Sequence, residues 1–67
     1  MNKFNVGDKV VHFEYGSAVV EKTDYRYEQV LVKFDAHHPG LIHFEIPHWV
    51  LENWITLDTP LAKAIFT

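Results

Sequence analysis

The stretch "EQVLVKF", residues 28 to 34, turns Val30, Val32 and Phe34 one way and Leu31 and Lys33 the other. Side chains alternate faces only along an extended chain, so this pattern buries one side of a strand, whereas a helix would scatter it. The same period of two returns in "LIHFEI", residues 41 to 46, where Ile42, Phe44 and Ile46 oppose Leu41, His43 and Glu45. "DKVVHF" and "SAVVEK" are short Val-rich runs suited to a pleated, half-buried surface. Turn formers separate these runs at Gly7-Asp8, Tyr15-Gly16, Thr23-Asp24 and "DAHHPG". A strand roughly every ten residues is the spacing of a small all-β sandwich or barrel.

Strands are therefore expected at 9–14, 17–22, 28–34, 41–45 and 53–57. Pro47 cannot donate to a ladder, so the fourth strand should stop before it, and a short helical turn fits residues 47–51 ahead of the last strand. In the tail, Thr59 caps and Pro60 opens a short C-terminal helix, with Leu61 and Ile65 on one face. This divides the chain into a barrel over 1–58 and a tail over 59–67. The inward set is Val10, Ala18, Val20, Val30, Val32, Phe34, Ile42, Phe44, Ile55 and Leu57, with Phe4 and Phe66 closing the barrel ends.

At 67 residues the chain holds one domain with a thin core. A few kcal/mol of stability is the expectation, and a homodimer is a common remedy for so small a core. Apolar residues at 48% mark a folding chain, and the absence of cysteine removes disulfides and thiolate sites, as suits a reducing cytoplasm. The formal charge of −3 disfavours a general phosphate binder. With no run of 18 apolar residues and no basic-led apolar N-terminus, neither a membrane span nor a signal peptide is expected.

The run "VGDKVVHFEYGSAVVEK", residues 6 to 22, resembles the opening of SH3-like and Tudor-like small barrels. It is most similar to the RNA-polymerase-interacting domain of CarD-type transcription factors and to the C-terminal domain of UvrD/PcrA-type helicases. "VLVKFD" (30–35) looks like their third strand, and "IHFEIPHWVLENWITL" (42–57) covers their fourth strand, short turn and fifth. Phe13 and Ala18 depart from the proline and glycine frequent in those families. The resemblance implies a five-stranded SH3-like barrel and a small protein-interaction module, an accessory factor or transcription regulator docking on RNA polymerase or another nucleic-acid machine. The small size suggests a phage or mobile-element source.

Four of the five histidines crowd into "HHPGLIHFEIPH", residues 37 to 48. A zinc site needs three or four converging ligands. His37 and His38 point apart in an extended chain, and the spacing fits no standard ligand pattern. His38 and His43 meeting across Pro39-Gly40, beside Glu45, is the one metal arrangement worth weighing against solvated loop histidines. The expectation is no bound metal and no cofactor. As a pH sensor, protonation of all five would take the formal charge from −3 to +2. No nucleophile motif, convergent carboxylate pair or Gly-rich phosphate loop is present, so no enzyme is expected.

The aromatics are the better guide. Ten of them exceed what the core needs, leaving Phe13, Tyr15, Tyr25, Tyr27, Trp49 and Trp54 as candidates for a partner surface. Against this, Trp49 or Trp54 plugs the barrel and leaves only tyrosines outside. An aromatic cage for a methylated cation is a narrower version of the same idea. The alternative function is single-stranded nucleic-acid binding through "KTDYRYEQ" (22–29), where Lys22 and Arg26 accompany Tyr25 and Tyr27.

Overall fold

In the computed structural model, residues 4–24, 26–41, 43, 45–61 and 64 are described. Five strands form one antiparallel sheet: β1 (Lys9–His12), β2 (Gly16–Asp24), β3 (Gln29–Phe34), β4 (His48–Leu51) and β5 (Ile55–Leu57). A 3₁₀ turn, Glu52–Trp54, joins the last two. The order across the sheet is β4-β3-β2-β1-β5, so β4 and β5 are its two edges.

That connection dictates shape. Five flat strands would span about 19 Å from edge to edge. The path from Leu51 to Ile55 covers only about 8 Å at 3₁₀ rise. The sheet must therefore curl until its edges approach. β4 and β5 run in the same sense, so the chain leaves one edge and continues onto the other with one short kink. A bulge assists: β2 pairs Val20 with Val32 but Lys22 with Leu31, which leaves Glu21 extra. Such an insertion bends and twists a strand. No ladder joins β4 to β5 among the described residues, so the sheet is curled and open.

The concave side carries the core: Phe4, Val10, Ala18, Val20, Val30, Val32, Phe34, Leu41, Val50 and Ile55. Alternation placed most of these. Ala18 lies opposite Phe34, and the small side chain leaves room for the large ring. Leu57, expected inside, is 43% exposed. It shares the face of Ile55 but ends a three-residue edge strand, with no neighbouring strand on its outer side.

The fourth strand is the main correction. Of the expected strand 41–45, the described residues Leu41, His43 and Glu45 belong to none of the five strands: Leu41 closes a turn by a bridge to His38, its N–H donating to the His38 carbonyl at 2.8 Å. The Ile46 N–H donates to the His43 carbonyl at 3.3 Å, a second turn. The described residues of the alternating segment lie in these two turns, and Ile46 ends 50% exposed. Leu41 faces the core rather than solvent. Ile42 and Phe44, and with them that part of the expected inward set, lie outside the described residues. β4 starts after Pro47, where 47–51 was expected to be helical. Trp49 and Val50 are strand formers, and β3 offers them a ladder with Val50 opposite Val30. The helical turn falls on Glu52–Trp54 instead, shortening the fifth strand to Ile55–Leu57. Likewise residues 13 and 14, expected in the first strand, lie in the turn that follows it.

Pro60, Leu61 and Ala64 are helical; the rest of the expected C-terminal helix, including Ile65, and Phe66 beyond it, lie outside the described residues. No helix among the described residues is long and apolar enough to cross a membrane.

Gly16 opens β2 with φ +84°, in the region that L side chains resist. A Cβ there would meet no atom within 4 Å, so only the backbone opposes substitution. Gly16→Ala is expected to cost about 1–2 kcal/mol, read as a lower urea midpoint at unchanged slope. An unaltered midpoint would mean that the turn relaxes out of this conformation freely.

Candidate functional site: an aromatic cleft built on His12

β1 ends at His12, and residues 13–15 turn the chain into β2. The turn is held by the His12 ring. Nδ1 accepts the backbone N–H of Glu14 at 3.0 Å and of Tyr15 at 3.2 Å. Both bonds need the Nδ1 lone pair, so the ring proton of the neutral imidazole sits on Nε2. His12 is only 3% exposed. Burial pushes its pKa below the ordinary histidine value, and the nearby Glu14 carboxylate opposes that shift in part.

Aromatic rings surround this imidazole. Phe13 and Tyr15 stack on it with centroids at 4.9 Å, and Phe34 and Trp54 meet it edge-on at 5.8 and 6.1 Å. Trp54 also meets Phe13 edge-on at 5.4 Å, while the Phe13 N–H donates to the Trp54 carbonyl at 3.0 Å. The hairpin turn and the 3₁₀ turn are thereby locked together. Tyr15 rests edge-on against Phe34 at 5.6 Å and against His38 at 5.3 Å. Its phenol is held above the usual tyrosine range by a hydrogen bond to Glu14. Edge-to-face rings add about 0.5–1.5 kcal/mol per pair beyond buried area, so this cluster is a rigid platform.

Between the hairpin turn, the 38–41 turn, β4 and the 3₁₀ turn lies a cleft of about 320 Å³. That is the small end of ligand-site volumes, about 300–1,000 Å³. Tyr15, Phe34, Leu41, Trp49, Val50, Leu51 and Trp54 line it together with His12, His48 and Gln29, and Tyr15, Trp49 and Trp54 each carry a hydroxyl or indole N–H besides their rings. No lining side chain is an Asp, Glu, Lys or Arg.

The candidate partner residues thus divide. Tyr15, Trp49 and Trp54 line the cleft, and Phe13 leans on Trp54 at its border. Trp49 and Trp54 are each about half exposed, so neither plugs the core. Trp54 belongs to the 3₁₀ turn rather than to the fifth strand. Arg26 and Tyr27 stand apart on the β2–β3 turn. The Arg26 guanidinium lies over the Tyr27 ring at 5.6 Å and pairs with Asp24 at 3.4 Å. Tyr25 lies outside the described residues. His12, Phe34, Leu41, His48 and Gln29 were not anticipated as site residues. Only the placement of His12 next to a predicted turn hinted at its part.

The crowded histidines serve turns. His38 repeats the device of His12, its Nδ1 accepting the Gly40 N–H at 3.0 Å, and His48 donates Nε2–H to the His43 carbonyl at 2.7 Å. Short side chains such as Asn hold turns in this way. His43 instead pairs with Glu45 at 3.6 Å. Among the described residues no three His, Asp or Glu side chains gather as a metal site.

Compared with protein-family models, curated proteins and solved structures, the chain gives no significant match in any of the three.

Proposed function

We propose that this chain is an SH3-like barrel serving as a cytoplasmic protein-docking module, a binder rather than a catalyst, that seats an apolar segment of a partner in the aromatic cleft. The barrel reading is supported by the curled sheet and by the three-residue passage between its edges. One observation carries the docking reading: a cleft walled by aromatics with no charged lining. Half-exposed tryptophans beside a pocket are the anchors that protein interfaces concentrate energy upon. A single-stranded nucleic acid asks for cations along its path. Here Arg26 is already engaged by Asp24 and Tyr27 away from the cleft. RNA polymerase is the partner that the likeness of residues 6–22 suggests, which makes a transcription accessory factor the natural role.

Binding to purified bacterial RNA polymerase tests this. Trp54→Ala should weaken it by about 1–2 kcal/mol, as truncation of an anchor does. The affinity should change little between about 50 and 200 mM salt, because few counterions are released. Micromolar binding of a short single-stranded oligonucleotide that Arg26→Ala abolishes would reverse the assignment. Polymerase binding indifferent to Trp54→Ala would remove the cleft from it.

A further inference from the structure

We infer that His12 sets what the cleft accepts: its Nε2–H donates a hydrogen bond to a carbonyl oxygen of an uncharged, apolar peptide segment. This rests on the docking reading of the same cleft and names its ligand chemistry. The first step is the tautomer. With Nδ1 accepting from Glu14 and Tyr15, the neutral ring has its proton on Nε2, which must act as a donor. Among the described residues Nε2 has no hydrogen-bond partner, and none of their buried polar side-chain atoms is sealed away unpaired. His12 lines the cleft, which is where a ligand would meet Nε2–H.

The other polar lining groups leave this place to His12. His48 spends Nε2–H on the His43 carbonyl. Gln29 sits opposite Leu51, toward the far end of β4. His12 lies at the centre of the ring cluster, against Phe13, Tyr15, Phe34 and Trp54, whereas His48 reaches Phe34 at 6.2 Å. A neutral donor among apolar walls selects an acceptor that carries no charge. A phosphate or carboxylate would have to be stripped of water with no cation to receive it. A peptide carbonyl beside an apolar side chain meets both conditions. An aromatic ring alone would fill the cleft and leave the donor unpaired, which costs affinity.

Three probes test this by NMR on the intact ¹⁵N-labelled chain: N-methylbenzamide, toluene and AMP. The Trp49 and Trp54 indole N–H signals report entry into the cleft, and the His12 Nε2 and Hε2 signals report the hydrogen bond. N-methylbenzamide should shift both sets and bind about 2–10-fold tighter than toluene, which should shift the tryptophans alone. In His12→Asn, the amide oxygen retains an acceptor for the turn while Nε2–H is gone. The preference for the amide should disappear there. Tryptophan shifts with silent His12 signals, or equal affinity for amide and toluene in the parent chain, would overturn the role of His12 and leave docking standing. Silent tryptophans with every probe would remove the docking cleft itself. Preferential entry of AMP would point to a nucleic acid and overturn both.

Discussion

Phe34→Ala should remove about 3–5 kcal/mol of the stability of the chain at 25 °C. Phe34 is 2% exposed, opposite Ala18, and it touches His12, Tyr15 and His48. Removing a buried phenyl group costs about 3–5 kcal/mol, because the cavity closes only in part. A domain of this length holds about 3–10 kcal/mol in total, so the loss consumes much of it. Urea titration followed by tryptophan fluorescence measures it, and Phe34→Leu should recover a large share. A midpoint unmoved by Phe34→Ala would mean that the ring supports neither core nor cleft.

Acid should destabilise the fold through His12. Its pKa is lowered by burial, with Glu14 pulling the other way. The unfolded chain takes up this proton near pH 6.5, while the folded chain resists until lower pH. Stability from this group is thus complete above 6.5 and is lost as the pH falls through the depressed folded value. Protonating Nδ1 also takes the acceptor from the N–H groups of Glu14 and Tyr15, which frees the hairpin turn under the cleft. Among the groups on the platform, the Tyr15 phenol stays protonated throughout, and the Nδ1 of His38 holds the Gly40 turn in the same manner. His12→Ala is expected to cost about 2–4 kcal/mol at neutral pH, for lost turn bonds and ring contacts together. His12→Asn should cost less and flatten the dependence of stability on pH below about 6.5. A slope that survives His12→Asn but vanishes in His38→Asn would move the effect to the second turn.

Where pairing and burial agree, the strands could be read directly. Val30, Val32 and Phe34 alternate because β3 is an interior strand, paired on both edges by β4 and β2. The run from Leu41 to Ile46 alternates equally well, yet its described residues join none of the five strands, because Pro39-Gly40 and Pro47 crowd them into turns. Periodicity cannot report that no neighbour is in reach to pair with. "HWVL" carries too short a pattern to read, and only its ladder with β3 identifies it. Exposure of Phe13, Trp49 and Trp54 followed from counting aromatics against core positions. Their gathering did not, since it depends on the curl that brings β1 beside the 3₁₀ turn. The histidines were the least legible, for imidazole as a turn acceptor leaves no spacing signature.

The passage from β4 into β5 has a consequence for how the chain acquires its fold. β1, β2 and β3 are neighbours in sequence and form a meander by local hairpins, which zip quickly. β5 pairs with β1, Val10 against Leu57, across nearly the full length of the domain. That contact needs the largest loop closure and belongs to the slow part of assembly. The cleft has one wall from the first hairpin and another from residues 48–54, so it does not exist until this late step is done. On the ribosome, a nascent chain has its first three strands ready well before β5 emerges. The cleft forms only once residues 48–57 are also available to pair and fold back, as a single event.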